Sequence, residues 1–236
     1  MKVMVTNYCG NVGKTTVVAH LFAPRIPEAK VFSVETINET AADLGIETDK
    51  LKGGNFGALF KELIQVDNAI VDVGASNVED MLGRMAAFSD SHEEIDYFIV
   101  PVTSGAKEQK ETVKTMRALH GLGIDASRIR VLFNRVDTDP VEEFPAIFGY
   151  AAQTNACVAN PQAAIYENEV FDMLSTKRTT IAAVLDDRTD YRQMLREKRG
   201  NASSYEISHW TDMHAIKSLA KGADRQLNAA FAALFQ

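Results

Sequence analysis

The chain has 236 residues, of which 46% are hydrophobic and 24% are charged, and its formal net charge is −7. These values suit a soluble, enzyme-sized domain with one core and room for a small helical appendage. No apolar run approaches the roughly 18–20 residues of a membrane-spanning helix, and residues 1–8 resemble a strand rather than a signal peptide. The acidic balance argues against indiscriminate coating of nucleic acid. Cys9 and Cys157 are far apart and the five histidines are scattered, so we expect a reducing cytoplasm and no structural metal.

The N-terminus combines a short apolar strand, residues 3–6, with the loop NYCGNVGKTT at residues 7–16. Small residues before a helix let backbone N–H groups wrap a phosphate, and the helix start attracts the same anion. Lys14 is predicted to reach the β- and γ-phosphates, and the Thr15 hydroxyl to complete a Mg²⁺ shell. The strict pattern G-x-x-x-x-G-K-[ST] has glycine where this chain has Tyr8. The Gly-Lys-Thr triplet also occurs by chance in loops, but the flanking strand and helix favour phosphate binding.

The predicted nucleotide contacts of this loop are Cys9, Gly10, Asn11, Val12, Gly13, Lys14, Thr15 and Thr16.

Further apolar runs alternate with helical segments along the first two thirds of the chain. The predicted strands are 3–6, 30–34, 68–73, 97–102 and 129–134. Their nearly continuous hydrophobicity is typical of parallel strands buried on both faces. Between the last two, residues 106–119 have helical spacing and Gly121 supplies a stop. The pattern predicts an α/β, doubly wound, mostly parallel sheet with ligands at the carboxyl ends of its strands.

Beyond about residue 150 the pattern becomes mostly helical. Residues 155–159 are a candidate sixth strand, 160–185 are mixed, and 186–199 are predicted to form a charged helix. A break at 200–204 precedes a long amphipathic helix over 211–235. We therefore expect one domain over 1–236, in which 160–236 is a mostly helical C-terminal extension.

Two carboxylates follow predicted strands. Asp72 precedes Gly74, so it can hold a metal-bound water while the Gly74 N–H approaches a γ-phosphate. Glu35 follows the second strand, where it could orient the attacking water. The alternatives are a strand-capping Asp72 and a solvated Glu35.

The fifth strand ends in Asn134-Arg135-Val136-Asp137. An amide here can hydrogen-bond a purine edge, which makes Asn134 and Arg135 candidate nucleotide contacts. Because Asp137 could accept from guanine N–H groups, the base remains open between adenine and guanine, and an ordinary turn is the structural alternative.

The loop, Glu35, Asp72-x-Gly74 and Asn134-Arg135 together resemble the ParA/MinD family of deviant Walker P-loop ATPases over about residues 1–160. Within it, the segment VETIN at 34–38 and the chain length resemble the StbB plasmid-stability proteins of conjugative plasmids. The resemblance implies Mg-ATP rather than GTP, slow hydrolysis with Lys14, Glu35 and Asp72 as catalytic residues, and a nucleotide-dependent homodimer. It also implies a plasmid DNA-binding adaptor as partner, and work in plasmid segregation or positioning and in conjugative transfer.

Two departures from the family pattern concern catalysis. Family loops carry a lysine that reaches the partner's nucleotide, and here that position is Cys9, while the second glycine is Asn11. A neutral thiol cannot balance phosphate charge in the transition state. Lys107, after the fourth strand, is the candidate replacement from this chain. Glu35 stands where many relatives carry aspartate.

Two C-terminal features leave alternatives open. Arg188, Arg192, Arg196 and Arg199 would share one face of a helix. They could make weak, nonspecific DNA contacts or, with the interleaved acids, form a solvated salt-bridged face. The final helix could sit on a membrane surface, as in MinD-like proteins, or pack on the core, which its alanines favour. The location could accordingly be nucleoid-associated or peripheral to the inner membrane.

Two other functions fit the same scaffold. One is a nucleotide-dependent switch with negligible hydrolysis that recruits a DNA-bound or membrane partner, which Cys9 favours. The other is a small-molecule kinase or ligase resembling dethiobiotin synthetase, which lacks support because no extra basic cluster lies near the strand ends.

Overall fold

The computed structural model describes residues 1–34, 41, 45–51 and 56–236. Within these residues, seven strands form one sheet in the order β3-β2-β4-β1-β5-β6-β7, and every pairing is parallel. The strands are β1 (Lys2–Val5), β2 (Lys30–Val34), β3 (Asp49–Leu51), β4 (Ala69–Val73), β5 (Tyr97–Val102), β6 (Ile129–Val136) and β7 (Ala164–Tyr166). The predicted parallel α/β class is confirmed.

Helices cover both faces of this sheet. They are α1 (Lys14–Val17), α2 (Phe56–Gln65), α3 (Val78–Ala87), α4 (Ala106–Gly121), α5 (Pro140–Glu143), α6 (Pro145–Thr154), α7 (Val170–Lys177), α8 (Ile181–Asp186), α9 (Tyr191–Lys198) and α10 (Ser204–Leu234). A π-helical turn, Val18–Phe22, continues α1. Short 3-10 turns lie at Ala75–Asn77, Ser91–Glu94, Ala126–Arg128 and Arg199–Asn201.

The alternation of side chains along each strand divides the core into two layers. One layer packs α2, α3, α4 and α6 on the sheet through residues such as Leu59, Met81, Met116 and Ile147. The other packs the π-helical turn, α7, α8 and α10 on the opposite face through Leu21, Leu174, Val184 and Leu227. Burial on both faces explains why the strand segments are apolar at nearly every position.

Five predicted strands are present, but the sixth is wrong. Val158 makes only an isolated bridge with Arg130, and the seventh strand is 164–166. The chain turns first, because the Asn160 carboxamide accepts from Gln162 N at 3.0 Å and Pro161 has no N–H to donate. The three-residue edge strand β3 was not predicted.

The predicted helix over 186–199 is confirmed only in part, since α9 covers Tyr191–Lys198 and residues 187–190 are not helical. The Asp187 carboxylate accepts from Thr189 N at 2.9 Å, and Asp190 accepts from Gln193 N at 2.9 Å. The first bond closes a turn ahead of the helix, and the second caps the start of α9 at Asp190.

The last helix begins earlier than predicted because of a capping box at Ser203 and Glu206. Ser203 Oγ accepts from Glu206 N at 3.2 Å, and Glu206 Oε2 accepts from Ser203 N at 2.8 Å. The pattern S-x-x-E was visible in the sequence.

The apolar stripe of α10 lies against the sheet rather than at the surface. Its buried members include Met213, Ile216, Ala220, Ala223, Leu227 and Ala230. Arg25 fixes the helix to the turn after α1, since it pairs with Asp224 at 2.6 Å and donates to the His20 carbonyl at 2.9 Å. This supports the core-packing alternative for the stripe. Among the described residues, no helix has the length and hydropathy to cross a bilayer.

His20 lies in the π-helical turn with its ring buried between layers of the core. The Ile181 N–H faces its Nδ1 at 3.4 Å, and the Phe171 ring packs on it with centroids 5.6 Å apart. Burial lowers the pKa of His20 to about 4. The folded state therefore keeps this imidazole neutral.

We expect the free energy of unfolding to fall as the pH drops from 7 to 5. The unfolded chain binds a proton at His20 near pH 6.5, whereas the folded chain resists protonation until about pH 4. The stability due to neutral His20 is thus complete above about pH 6.5 and decreases toward pH 4, by about 2 kcal/mol at pH 5. Urea titrations of wild type and His20→Gln at several pH values should show a shallower pH dependence in the variant. The exposed His120→Gln should behave like wild type, and equal slopes in all three proteins would contradict the assignment.

Candidate nucleotide-binding site

The predicted phosphate loop lies between the carboxyl end of β1 and the start of α1. Gly13 precedes α1 with φ 84° and ψ 25°, a left-handed conformation that favours glycine. A Cβ at Gly13 would stand 2.3 Å from the Asn134 amide nitrogen, so space also requires glycine here. Asn11 is left-handed as well, with φ 59°, which asparagine tolerates better than most residues. Asparagine can therefore take the left-handed position of the loop that a glycine would otherwise fill.

A buried amide, Asn7, connects the loop to the neighbouring helix α4. Its side chain is 0% exposed. Its Nδ2 donates to the Pro101 carbonyl at 2.8 Å and to Thr112 Oγ1 at 2.7 Å, and its Oδ1 accepts from Cys9 N at 2.9 Å. Thr115 Oγ1 accepts from Tyr8 N at 3.0 Å. This network fixes the first half of the loop at the carboxyl ends of the central strands.

The charged end of Lys14 is held inside the loop. Its Nζ donates to the Cys9 carbonyl at 2.8 Å and the Asn7 carbonyl at 3.2 Å, and the residue is 8% exposed. The positive charge is therefore concentrated where the loop backbone would surround a phosphate.

Thr15 and Asp72, predicted separately, meet in the structure. Val5 of β1 is in register with Asp72 of the adjacent strand β4. Thr15 Oγ1 donates to Asp72 Oδ2 at 3.0 Å, and Asp72 is 4% exposed. A hydroxyl and a carboxylate side by side are hard oxygen donors of the type that Mg²⁺ prefers, so the residues present fit this cation.

Asn134 contacts the loop itself, since its Nδ2 donates to the Val12 carbonyl at 2.9 Å. The following residue, Arg135, is exposed and left-handed with φ 54°, at an irregularity in the β6–β7 pairing. In this structure Asn134 supports the second half of the loop. Contact of Asn134 or Arg135 with a base stays a prediction.

The turn after β6 is organised by Glu143. Its carboxylate accepts from the N–H groups of Asp137, Thr138 and Asp139 at 3.0, 2.6 and 3.1 Å. Burial opposes its ionisation, but these N–H donors outweigh burial and lower the pKa of Glu143. The backbone next to the predicted base site is therefore shaped by a side chain that the sequence did not single out.

Cys9, which stands where loops of the ParA/MinD family carry lysine, is a neutral group. The residue is 7% exposed, and its pKa is raised by burial first and then by the Glu108 carboxylate. The Lys107 ammonium, in the first turn of α4, acts on the thiol in the opposite direction. Lys107 is exposed and close enough for its charge to be felt at the loop.

The remaining predicted residues are placed as follows. Val12 is buried, Thr16 is half-buried and Gly10 is exposed in the loop. The Gly74 N–H donates to the Val34 carbonyl at 3.0 Å in this structure. Glu35 lies outside the described residues, so its role stays a prediction.

We predict that Gly13→Ala destabilises the chain in two separable ways, through its left-handed φ and through the clash with Asn134. Each is expected to cost about 1–2 kcal/mol of unfolding free energy. Chemical denaturation of Gly13→Ala, Asn134→Ala and the double variant separates the two costs. The double variant lacks the Asn134 amide and so has no clash, but it keeps the left-handed φ at residue 13. Gly10→Ala is the matched control, since a Cβ there meets nothing within 4 Å. Strict additivity of the two single changes would contradict the contact.

The fold is similar to that of solved MinD proteins. MinD of Pyrococcus horikoshii, complexed with Mg-ADP, is 15% identical with a TM-score of 0.52, over 95% of this chain and 97% of that one. The Pyrococcus furiosus cell-division ATPase MinD is 14% identical with a TM-score of 0.52, over 92% and 98%. The Aquifex aeolicus MinC:MinD complex matches at 16% identity with a TM-score of 0.51, over 86% and 97%. No protein-family model and no curated protein sequence matches the chain. At these identities the likeness establishes the fold, which is that of the MinD P-loop ATPases.

Proposed function

We propose that this chain binds Mg-ATP and works as a nucleotide-dependent switch of the ParA/MinD kind. The observation that carries the proposal is the arrangement of Lys14, Thr15 and Asp72 at the carboxyl edge of β1 and β4. Lys14 lies within a glycine-bearing loop, and Thr15 Oγ1 is 3.0 Å from Asp72 Oδ2. The similarity to MinD solved with Mg-ADP supports the same choice of ligand.

The residues present divide the work of binding. The loop backbone and the start of α1 would face the phosphate oxygens, and Lys14 would exchange its two carbonyl partners for them. Thr15 and Asp72, the latter through water, would hold Mg²⁺, which would neutralise charge on the phosphates.

Hydrolysis is expected to be slow, because Cys9 is neutral where a cation would stabilise the transition state. The absence of one such contact corresponds to about 3 kcal/mol of barrier. Lys107 is the candidate for a partial replacement from this chain, and Glu35 and Asp72 are the candidates for orienting water. The same feature favours a second candidate function, a switch that binds nucleotide and scarcely turns it over.

In the cell we propose a role in plasmid stability, segregation or positioning, like that of StbB proteins, with a nucleotide-dependent homodimer and a DNA-binding adaptor. A cytoplasmic location, nucleoid-associated or peripheral to the inner membrane, belongs to the same proposal. The four arginines of residues 188–199 would add at most weak, nonspecific contact with DNA. ATP is favoured over GTP by the family resemblance.

Lys14→Ala should weaken ATP binding by about 10- to 100-fold, since a charge-assisted hydrogen bond to phosphate contributes about 1.5–3 kcal/mol. Titration with a fluorescent ATP analogue measures the effect. Lys110→Ala, an exposed lysine of α4, is the matched control and should bind normally. Unchanged affinity in Lys14→Ala would overturn the proposed site.

Asp72→Asn keeps an acceptor for Thr15 but removes the charge that attracts a cation. We expect the variant to bind ATP with little further gain when Mg²⁺ is added, whereas wild type should bind more tightly with Mg²⁺ than with chelator. An equal Mg²⁺ effect in both proteins would remove Asp72 from the cation site.

Cys9→Lys tests whether the missing lysine limits hydrolysis. Steady-state phosphate release should rise at least about 10-fold in the variant, and Lys107→Ala should release less phosphate than wild type, with Lys110→Ala as control. If wild type already releases no more than Lys14→Ala under every condition, the non-hydrolysing switch is the correct function.

A further inference from the structure

An open groove of about 500 Å³ lies between α9 and the first turns of α10. It is lined by Arg192, Leu195, Arg196, Ile207 and Thr211. Its volume is within the range of ordinary ligand sites, about 300–1,000 Å³. The groove is formed entirely by the C-terminal segment and uses none of the residues of the phosphate loop.

Arg192 and Arg196 lie one helical turn apart and are both exposed. In the part of the chain that the structure describes, neither guanidinium has a hydrogen bond or an ion pair. Two neighbouring carboxylates have other partners, since Asp187 lies 3.4 Å from Lys217 Nζ and Glu197 accepts from Gln193 Nε2 at 2.9 Å. The salt-bridged alternative is therefore not found at these two arginines, and both guanidinium groups are left to pair with a ligand.

Between the arginines the groove is apolar. Leu195 and Ile207 are half-buried and not covered by another described element. The Thr211 hydroxyl donates to the Ile207 carbonyl at 2.7 Å, so only its acceptor lone pairs remain for a ligand. A molecule that fits must combine negative charge for the rim with an apolar group for the floor.

We propose that this groove binds a short acidic segment of a partner protein, in which carboxylates pair with Arg192 and Arg196 and an aliphatic side chain contacts Leu195 and Ile207. Bidentate arginine–carboxylate pairs supply direction, and the apolar floor supplies area. The groove would be a docking site for this acidic segment, separate from the phosphate site.

A peptide fits this groove better than nucleic acid does. Binding to a phosphate backbone needs a continuous row of positive charges. Of the four arginines considered as DNA contacts, only Arg192 and Arg196 lie on α9. Arg188 precedes the helix and Arg199 lies in the following turn. Asp190 and Glu206, which lie just before α9 and in the first turn of α10, would repel an extended polyanion. An aliphatic floor also adds nothing to phosphate binding.

The test uses the full chain and an array of short peptides that combine glutamate with leucine or isoleucine at different spacings. The best peptide is then measured in solution by fluorescence anisotropy. Arg192→Ala with Arg196→Ala should weaken its binding at least about 10-fold, as expected for two ion pairs at a partly desolvated site. Leu195→Ser should weaken it too, whereas Arg188→Ala, an exposed arginine outside the groove, should not. Circular dichroism of each variant verifies the fold.

Three outcomes would overturn the proposal. They are an array without any acidic binder, a peptide affinity unchanged in the double arginine variant, and equal binding of a peptide in which lysine replaces glutamate. Binding of a DNA duplex that is lost in the double variant, without peptide binding, would assign the arginines to nucleic acid instead. Lys14→Ala should bind the peptide normally, so failure of the nucleotide proposal and failure of this one are distinguishable.

Discussion

The hydrogen bonds of the Asn7 side chain are the constraint on which the rest of the site depends. A fully buried amide that lacked partners would cost the fold about 1–3 kcal/mol for each unsatisfied group. Here the amide joins β5, α4 and the loop, through the Pro101 carbonyl, Thr112 and Cys9. These bonds hold the loop in position in this structure, and the loop in turn positions Lys14 and Thr15. Preorganisation of this kind reduces the ordering cost of binding.

The proposed function separates two properties that a phosphate loop usually combines. Binding would depend on backbone geometry, on Lys14 and on the Thr15–Asp72 pair, and the structure brings these groups together. Acceleration of hydrolysis would depend on a further positive charge placed where negative charge develops in the transition state. Cys9, buried and neutral, would not supply that charge. On this proposal, the chain would keep nucleotide control with little turnover.

The sequence predicted the parts of this fold in which one local pattern determines the result. Continuous apolar runs identified five strands, and the glycine-bearing loop predicted how Lys14 and Thr15 would be grouped. It failed where the decisive partner is distant. Thr112 and Thr115 carry no signal on their own, because a threonine in a helix becomes part of the site only when Asn7 lies opposite. The start of α9 was missed for a local reason: Asp187 bonds the backbone of Thr189 in a turn and Asp190 caps the helix, and helical spacing alone does not show where such a cap lies. The groove beside α9 could not be predicted without knowing the partners of the nearby carboxylates. The alternation of charges in the sequence allows ion pairs with Arg192 and Arg196 that the fold does not make.

The two edges of the sheet determine how copies of the chain can meet. β3 and β7, at opposite edges, are three residues long. A row of unpaired N–H and C=O groups this short offers little template for strand addition, which is the usual route from an open parallel sheet to fibrous aggregates. Among the residues that the structure describes, contact between copies is therefore left to the surfaces of helices and side chains, which charge and ligand can remodel.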